Sequence, residues 1–253
     1  MSPAGPLADV LDEARRVVAL ADDAGTPVRL LGGTAIHLRG GTRVAIGFRR
    51  APKDIDVAVP AGAGGTTATL LTAAGYVPDD GFNMLEGSRR MLFYDTENAR
   101  QLDVFVREFT MCHRIPLDER LLLEPVTIPL AELMLTKLQI VQLNSKDESD
   151  VLAMLCAHGV GERDGETINA TRIAELCARD WGLYRTATIN LDRLRACVAA
   201  AGLAPADAER ITAGLAAISD SIQSAPKSNR WRLRARVGER VRWYDEPDEV
   251  DAA

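Results

Sequence analysis

The chain has 253 residues, 47% of them hydrophobic and 26% charged, with a formal net charge of −6. This is the composition of an ordinary globular protein, long enough for one large domain or two modest ones. It argues against a surface coated with positive charge, and no apolar run approaches the roughly 18 residues that a membrane span needs. The start Met1-Ser2-Pro3-Ala4-Gly5-Pro6 lacks the basic end and apolar centre of a signal peptide, so a cytoplasmic location with no membrane partner is expected. Cys112, Cys156, Cys177 and Cys197 show neither CxxC nor Cys/His metal spacing and read as free thiols.

In chain order, residues 7–24 repeat their apolar positions at helical spacing and predict a first amphipathic helix. Val28-Arg29-Leu30-Leu31 predicts a short strand that stops at Gly32-Gly33, after which Thr34 is placed to cap a helix running to about Arg39. The stretch from Arg39 to Lys53 holds Arg39, Arg43, Arg49, Arg50 and Lys53 and no acid, a patch suited to an anionic ligand or simply to solvent. His37, one turn into that helix, is expected to be structural. Residues 54–59 read as a second strand and 65–74 as a helix. Residues 91–94 and 102–106 read as two strands around a polar hairpin loop.

The second half changes character. Leu130, Leu133, Met134, Lys137 and Leu138 share one face of a predicted helix, so the ammonium of Lys137 needs an anionic partner or a route to water. Ser145 and Glu148 have capping-box spacing for a helix that ends at Gly159. Asp147 falls in its first turn, and Asp150 lies where the apolar stripe begins, which predicts a buried, paired carboxylate. Further helical patterns cover about 170–181, 190–201, 205–223 and 228–238. The expected plan is α+β: an α/β half over 1–125 with a small mixed sheet flanked by helices, a helical bundle over 126–245, and an acidic tail over 246–253.

The sharpest chemical signal is Lys53-Asp54-Ile55-Asp56-Val57. In a strand, side chains at i and i+2 share a face, so Asp54 and Asp56 stand side by side. Adjacent like charges are costly unless a cation neutralises them, and Mg²⁺ takes carboxylate oxygens while keeping places for water and phosphate. A third acid, Asp103, is embedded in the apolar strand Leu102–Val106, where a lone charge is expensive. Asp95 is an alternative third acid. Three carboxylates at one sheet end suit two divalent ions. The glycines at 32 and 33 let backbone N–H groups approach a phosphate at a helix start. The bland readings are a solvated turn for the acids and an ordinary turn for the glycines.

Gly32-Gly33-Thr34, the Asp54-Ile55-Asp56 pair and Asp103 together resemble the nucleotidyltransferase superfamily of DNA polymerase beta over roughly residues 27–107. Lys137 with Lys146-Asp147-Glu148-Ser149-Asp150 is similar to a segment of the AbiEii-type members, among which are bacterial toxins that modify tRNA ends. Lys146 departs from that segment, which carries arginine there. The resemblance implies the nucleotidyltransferase fold and transfer of NMP from an NTP to a hydroxyl acceptor. Asp54, Asp56 and Asp103 would bind two Mg²⁺ (or Mn²⁺) and act in catalysis. Gly32, Gly33, Thr34, Lys53, Lys137, Asp147 and Asp150 would form or support the nucleotide site. The acceptor is either a tRNA end, with an antitoxin protein as partner, or a small hydroxylated molecule, as in antibiotic adenylyltransferases. A non-catalytic nucleotide- or partner-binding member of the fold is the reading from another class. The segment Arg230–Arg236 interleaves arginines with Trp231, and Trp243-Tyr244 follow. That pattern suits either RNA contact or a docked terminal helix.

Overall fold

A computed structural model of the chain describes residues 5–48 and 51–246. Arg49, Arg50 and the tail residues 247–253 lie outside the described residues. The architecture is α+β, a mixed sheet with helices followed by a helical region. Two compact units are present. Unit 1 comprises 1–41, 50–109 and 116–129, and unit 2 comprises 42–49, 110–115 and 130–253. The units are therefore not the two contiguous halves, 1–125 and 126–245, that the sequence suggests. Val44 and Phe48 are buried, and the Cys156 thiol lies 3.6 Å from the Arg43 carbonyl, which accounts for the placement of residues 42–49 in unit 2.

In unit 1, strands β1 (Arg29–Leu31), β2 (Ile55–Val59), β3 (Val77–Pro78), β4 (Arg90–Asp95) and β5 (Arg100–Val106) form one sheet in the order β1-β2-β5-β4-β3. It is mixed because β2 and β5 run parallel while every other pairing is antiparallel. The alternation explains the strands. Ile55, Val57 and Val59 in β2, with Leu102 and Val104 in β5, are fully buried and project to one side. Asp56, Asp103 and Phe105 project to the other. Helix α1 (Val10–Asp23) starts where the Asp9 carboxylate accepts from the N–H groups of Leu11 and Asp12. It buries Ala14, Val17, Val18 and Ala21.

Helix α2 (Gly32–Gly40) begins two residues before the expected cap. Thr34 sits inside it, and Leu31 precedes it with no side-chain cap. Helix α3 (Gly64–Ala73) matches its prediction. Helix α4 (Asp80–Glu86), capped by Asp79, has no periodic apolar signal and was not foreseen; Met84 and Leu85 are exposed on it.

Unit 2 is built on α5 (Leu130–Leu138), α6 (Ser145–Ala157), α7 (Ala170–Arg179), α8 (Trp181–Ala200), α9 (Pro205–Ser224) and α10 (Asn229–Val237). The cap of α6 is Asn144, whose side chain accepts from Lys146 and Asp147 N–H groups, and not Ser145. Glu148 is drawn away from a capping box by Arg193, 2.5 Å distant. Asp180 ends α7 and caps α8, so the second helix starts about nine residues earlier than periodicity indicates. Among the described residues no helix is long and apolar enough to cross a membrane.

The cysteines are free thiols. Cys112, Cys156 and Cys177 are buried, and burial pushes the Cys177 thiol up to about 12. Brief treatment of the native protein with a thiol reagent is therefore expected to label Cys197, the half-buried one, first. Mass spectrometry of the digest reads the order, and rapid native labelling of Cys177 would contradict it.

Candidate functional site

The parallel pairing of β2 with β5 places Asp56 opposite Asp103 in register. Paired residues on neighbouring strands face the same way, so the two carboxylates stand on one side of the sheet. Asp95, the alternative third acid, is engaged elsewhere. Its carboxylate closes its own hairpin turn, accepting from the N–H groups of Glu97 and Asn98 and from the Asn98 side chain.

Leu31, the last residue of β1, pairs with Asp56, and the chain turns at once into α2. Gly32 has φ +66°, and an added Cβ there would lie 2.0 Å from Asp56 Oδ2. The glycine turn is thus a bed for the Asp56 carboxylate. Thr34 is fully buried, and its hydroxyl donates to the Asp54 carbonyl at 2.8 Å, tying the start of α2 to the residue before β2. That hydroxyl positions the turn and is already used. Asp54 itself lies in a bend outside the strand and is exposed, so the expected run of strand from residue 54 begins one residue later. Lys53 is also exposed, with no ion pair among the described residues.

Asp103 is 4% exposed and has partners the sequence did not reveal. Arg90 Nε donates to its Oδ1 at 2.7 Å, and Gln101 Nε2 donates to its Oδ2 at 2.7 Å. Arg90 is held over the rings of Phe105 and Phe82, at 5.3 and 5.7 Å from their centroids. Gln101 was readable in principle, standing at i−2 on the same strand face. Arg90 was not, because its place depends on the β4–β5 register, which pairs Leu92 with Asp103. Among the described residues no group of three His, Cys, Asp or Glu side chains is arranged to hold a metal ion. The three-carboxylate cage expected from the sequence is not gathered in this arrangement. Asp54 and Asp56 remain as a pair of carboxylates two residues apart.

From the basic stretch, Arg39 pairs with Glu124 at 2.8 Å within unit 1, and Arg43 lies 3.8 Å from Glu166 within unit 2.

Unit 2 brings together the other predicted group. Lys137 Nζ lies 2.8 Å from Asp147 Oδ1 and 2.9 Å from Asp150 Oδ2, with the Asp150 side chain fully buried and that of Lys137 12% exposed. Burial by itself would lower the Lys137 ammonium. The charges of Asp150 and Asp147 and their hydrogen bonds outweigh it, and the net direction is upward. The expected partner of Lys137 is therefore two carboxylates. The triad carries one more negative than positive charge.

The chain matches no protein-family model and no curated protein.

Proposed function

We propose that the chain is a Mg²⁺-dependent nucleotidyltransferase of the DNA polymerase beta type, related to the AbiEii-like members, that moves NMP from an NTP to a hydroxyl acceptor. The observation that carries this reading is the in-register placement of Asp56 and Asp103 on adjacent parallel strands, with the Asp56 carboxylate bedded on the Gly32 turn. Asp54 and Asp56 would hold the ion. When bound, it supplies positive charge to the triphosphate and to the departing pyrophosphate. Leu31 gives α2 no side-chain cap, and the start of that helix is where phosphate oxygens would meet backbone N–H groups and the helix dipole. Asp103 is the acceptor for the proton of the attacking hydroxyl. Arg90 has to release Oδ1 before that transfer, so Arg90 acts as a gate on the acid. Lys137, Asp147 and Asp150 hold one another within unit 2. The acceptor is a tRNA end in the toxin-like reading, with an antitoxin as partner, or a small hydroxylated molecule.

Purified protein is expected to transfer label from an NTP to total tRNA or to a small hydroxylated acceptor in the presence of Mg²⁺. Asp56→Asn is expected to reduce the rate about a hundredfold or more without changing the melting temperature. Equal turnover by the two proteins would remove the metal role. A second reading has its own observation: both Asp103 oxygens are occupied by Arg90 and Gln101. On that reading the chain binds nucleotide or a partner protein without catalysis. NTP-dependent stabilisation with no label transfer to either acceptor class would favour it.

A further inference from the structure

Unit 2 contains a cleft of about 700 Å³ that includes none of the residues assigned to the transfer site, and it takes in Arg230, Trp231, Trp243 and Tyr244 from the segment whose pattern suits RNA contact. It is lined by the starts of α8 and α10, by residues 112–114 and by residues 242–245. Among the described residues five arginines line it against two aspartates, Asp180 and Asp245. Asp180 is committed to capping α8, accepting from the Gly182 N–H at 2.7 Å.

The aromatic walls are fixed in place. Trp231 Nε1 donates to the Cys177 carbonyl at 3.0 Å, and Trp243 Nε1 to Thr186 Oγ1 at 3.1 Å. Thr186 Oγ1 is itself 2.9 Å from Nε2 of the buried His113. Their N–H groups are satisfied inside the protein, and Trp231 packs edge-on with Tyr184 and Trp243 with Trp181 and Tyr244, so these half-buried indoles line the cleft in fixed positions. Their orientation costs little further entropy on binding.

The arginines divide by use, and Arg114, exposed at the cleft, is engaged by a partner of its own. Arg234 lies 4.4 Å from the Trp181 ring centroid and donates to the carbonyls of Gly238 and Val241, so it is part of the wall. Arg242 pairs with Glu246 and lies over Tyr244. Arg179 and Arg230 are exposed and make no ion pair among the described residues. Guanidinium forks beside fixed indole faces match a ligand that joins a phosphate to a planar ring.

We propose that this cleft binds a nucleotide unit, its phosphate held by Arg179 and Arg230 and its base against Trp231 or Trp243, presented either as a free nucleotide or within a single strand. The proposal is independent of the transfer chemistry. It is tested on the full chain in EDTA, with no NTP present, by tryptophan fluorescence and calorimetry. The probes are AMP, a short single-stranded oligonucleotide, and a dextran sulfate that carries charge without rings.

Binding of the oligonucleotide or AMP should quench tryptophan emission, and Arg179→Glu with Arg230→Glu should weaken it about tenfold or more with an unchanged melting temperature. Trp231→Leu or Trp243→Leu should lose the ring-dependent part of the affinity while dextran sulfate binding stays as it was. Binding of AMP alone assigns the site to free nucleotides, and preference for the oligonucleotide assigns it to strands. The proposal fails if neither nucleotide probe binds up to about 1 mM, or if the double charge reversal changes Kd by less than about twofold. It fails equally if dextran sulfate binds as tightly per charge as the oligonucleotide. Retention of binding by Asp56→Asn separates this result from the fate of the transferase reading.

Discussion

Asp150→Ala is expected to cost the protein about 3–5 kcal/mol of stability, read as a lowered denaturant midpoint at unchanged slope. Asp150 is fully buried and holds the Lys137 ammonium at 2.9 Å, while Asp147 supplies the second contact. Removing one member of such a group leaves a charge that neither water nor a partner fully satisfies, and this penalty exceeds the net worth of the pair. The effect has a pH signature. In the native protein Lys137 sits above its ordinary 10.5, so its contribution is complete below that value and is lost as the pH rises through the folded value. Without Asp150 the strongest upward pull on the ammonium is gone, so it titrates lower than in the wild type. The alkaline loss of this contribution should then begin at a lower pH in the variant than in the wild type. The double variant Lys137→Met, Asp150→Leu should recover most of the loss, because the remaining Asp147 lies in the first turn of α6, where the helix dipole favours its charge. Parallel pH profiles for wild type and Asp150→Ala would rule out a charged, buried Lys137.

Gly32→Ala is expected to cost about 3 kcal/mol and to disable any chemistry that needs Asp56. Two penalties combine. The backbone at Gly32 has φ +66°, which costs a residue with a Cβ about 1–2 kcal/mol. The new methyl would also fall 2.0 Å from Asp56 Oδ2 and 2.9 Å from its Cγ, so the carboxylate has to move. Gly25 provides the control, having the same φ of +66° with nothing within 4 Å of an added Cβ. Gly25→Ala should cost only the backbone share, about 1 kcal/mol. The difference between the two substitutions, measured by denaturant unfolding, reports the clash alone. It should shrink in an Asp56→Ala background. Equal costs at the two glycines would mean that Asp56 does not rest on the turn.

Legibility in the sequence followed the range of the interaction that fixes each feature. Strands β2 and β5 were readable because their apolar positions alternate. The need of Lys137 for anionic partners was readable because a cation on an apolar helix face has few alternatives. Asp150 was readable as a buried carboxylate for the same reason. Features set by register or by competing local bonds were not. Arg90 reaches Asp103 across the β4–β5 pairing. Asn144 takes the cap position that Ser145 and Glu148 appear to fill, because Glu148 has Arg193 as a partner 45 residues away. Glu13 looks like a solvent-facing acid of an amphipathic helix. It is fully buried, bonded to the Tyr76 hydroxyl at 2.6 Å and to Arg16 at 2.7 Å. Helix α4 and the early start of α8 lack a clean apolar stripe and are defined by their caps, Asp79 and Asp180.

The interleaving of the two units along the chain has a consequence for biosynthesis. Val44 and Phe48 are buried in a unit whose helices begin only at residue 130. By the time the ribosome has supplied all five strands, this short apolar segment still awaits α6, about a hundred residues downstream. Its nascent form is an uncovered sticky loop bracketed by Arg39, Arg43, Arg49, Arg50 and Lys53, and the like charges on either side repel a second copy while the missing helices are being made.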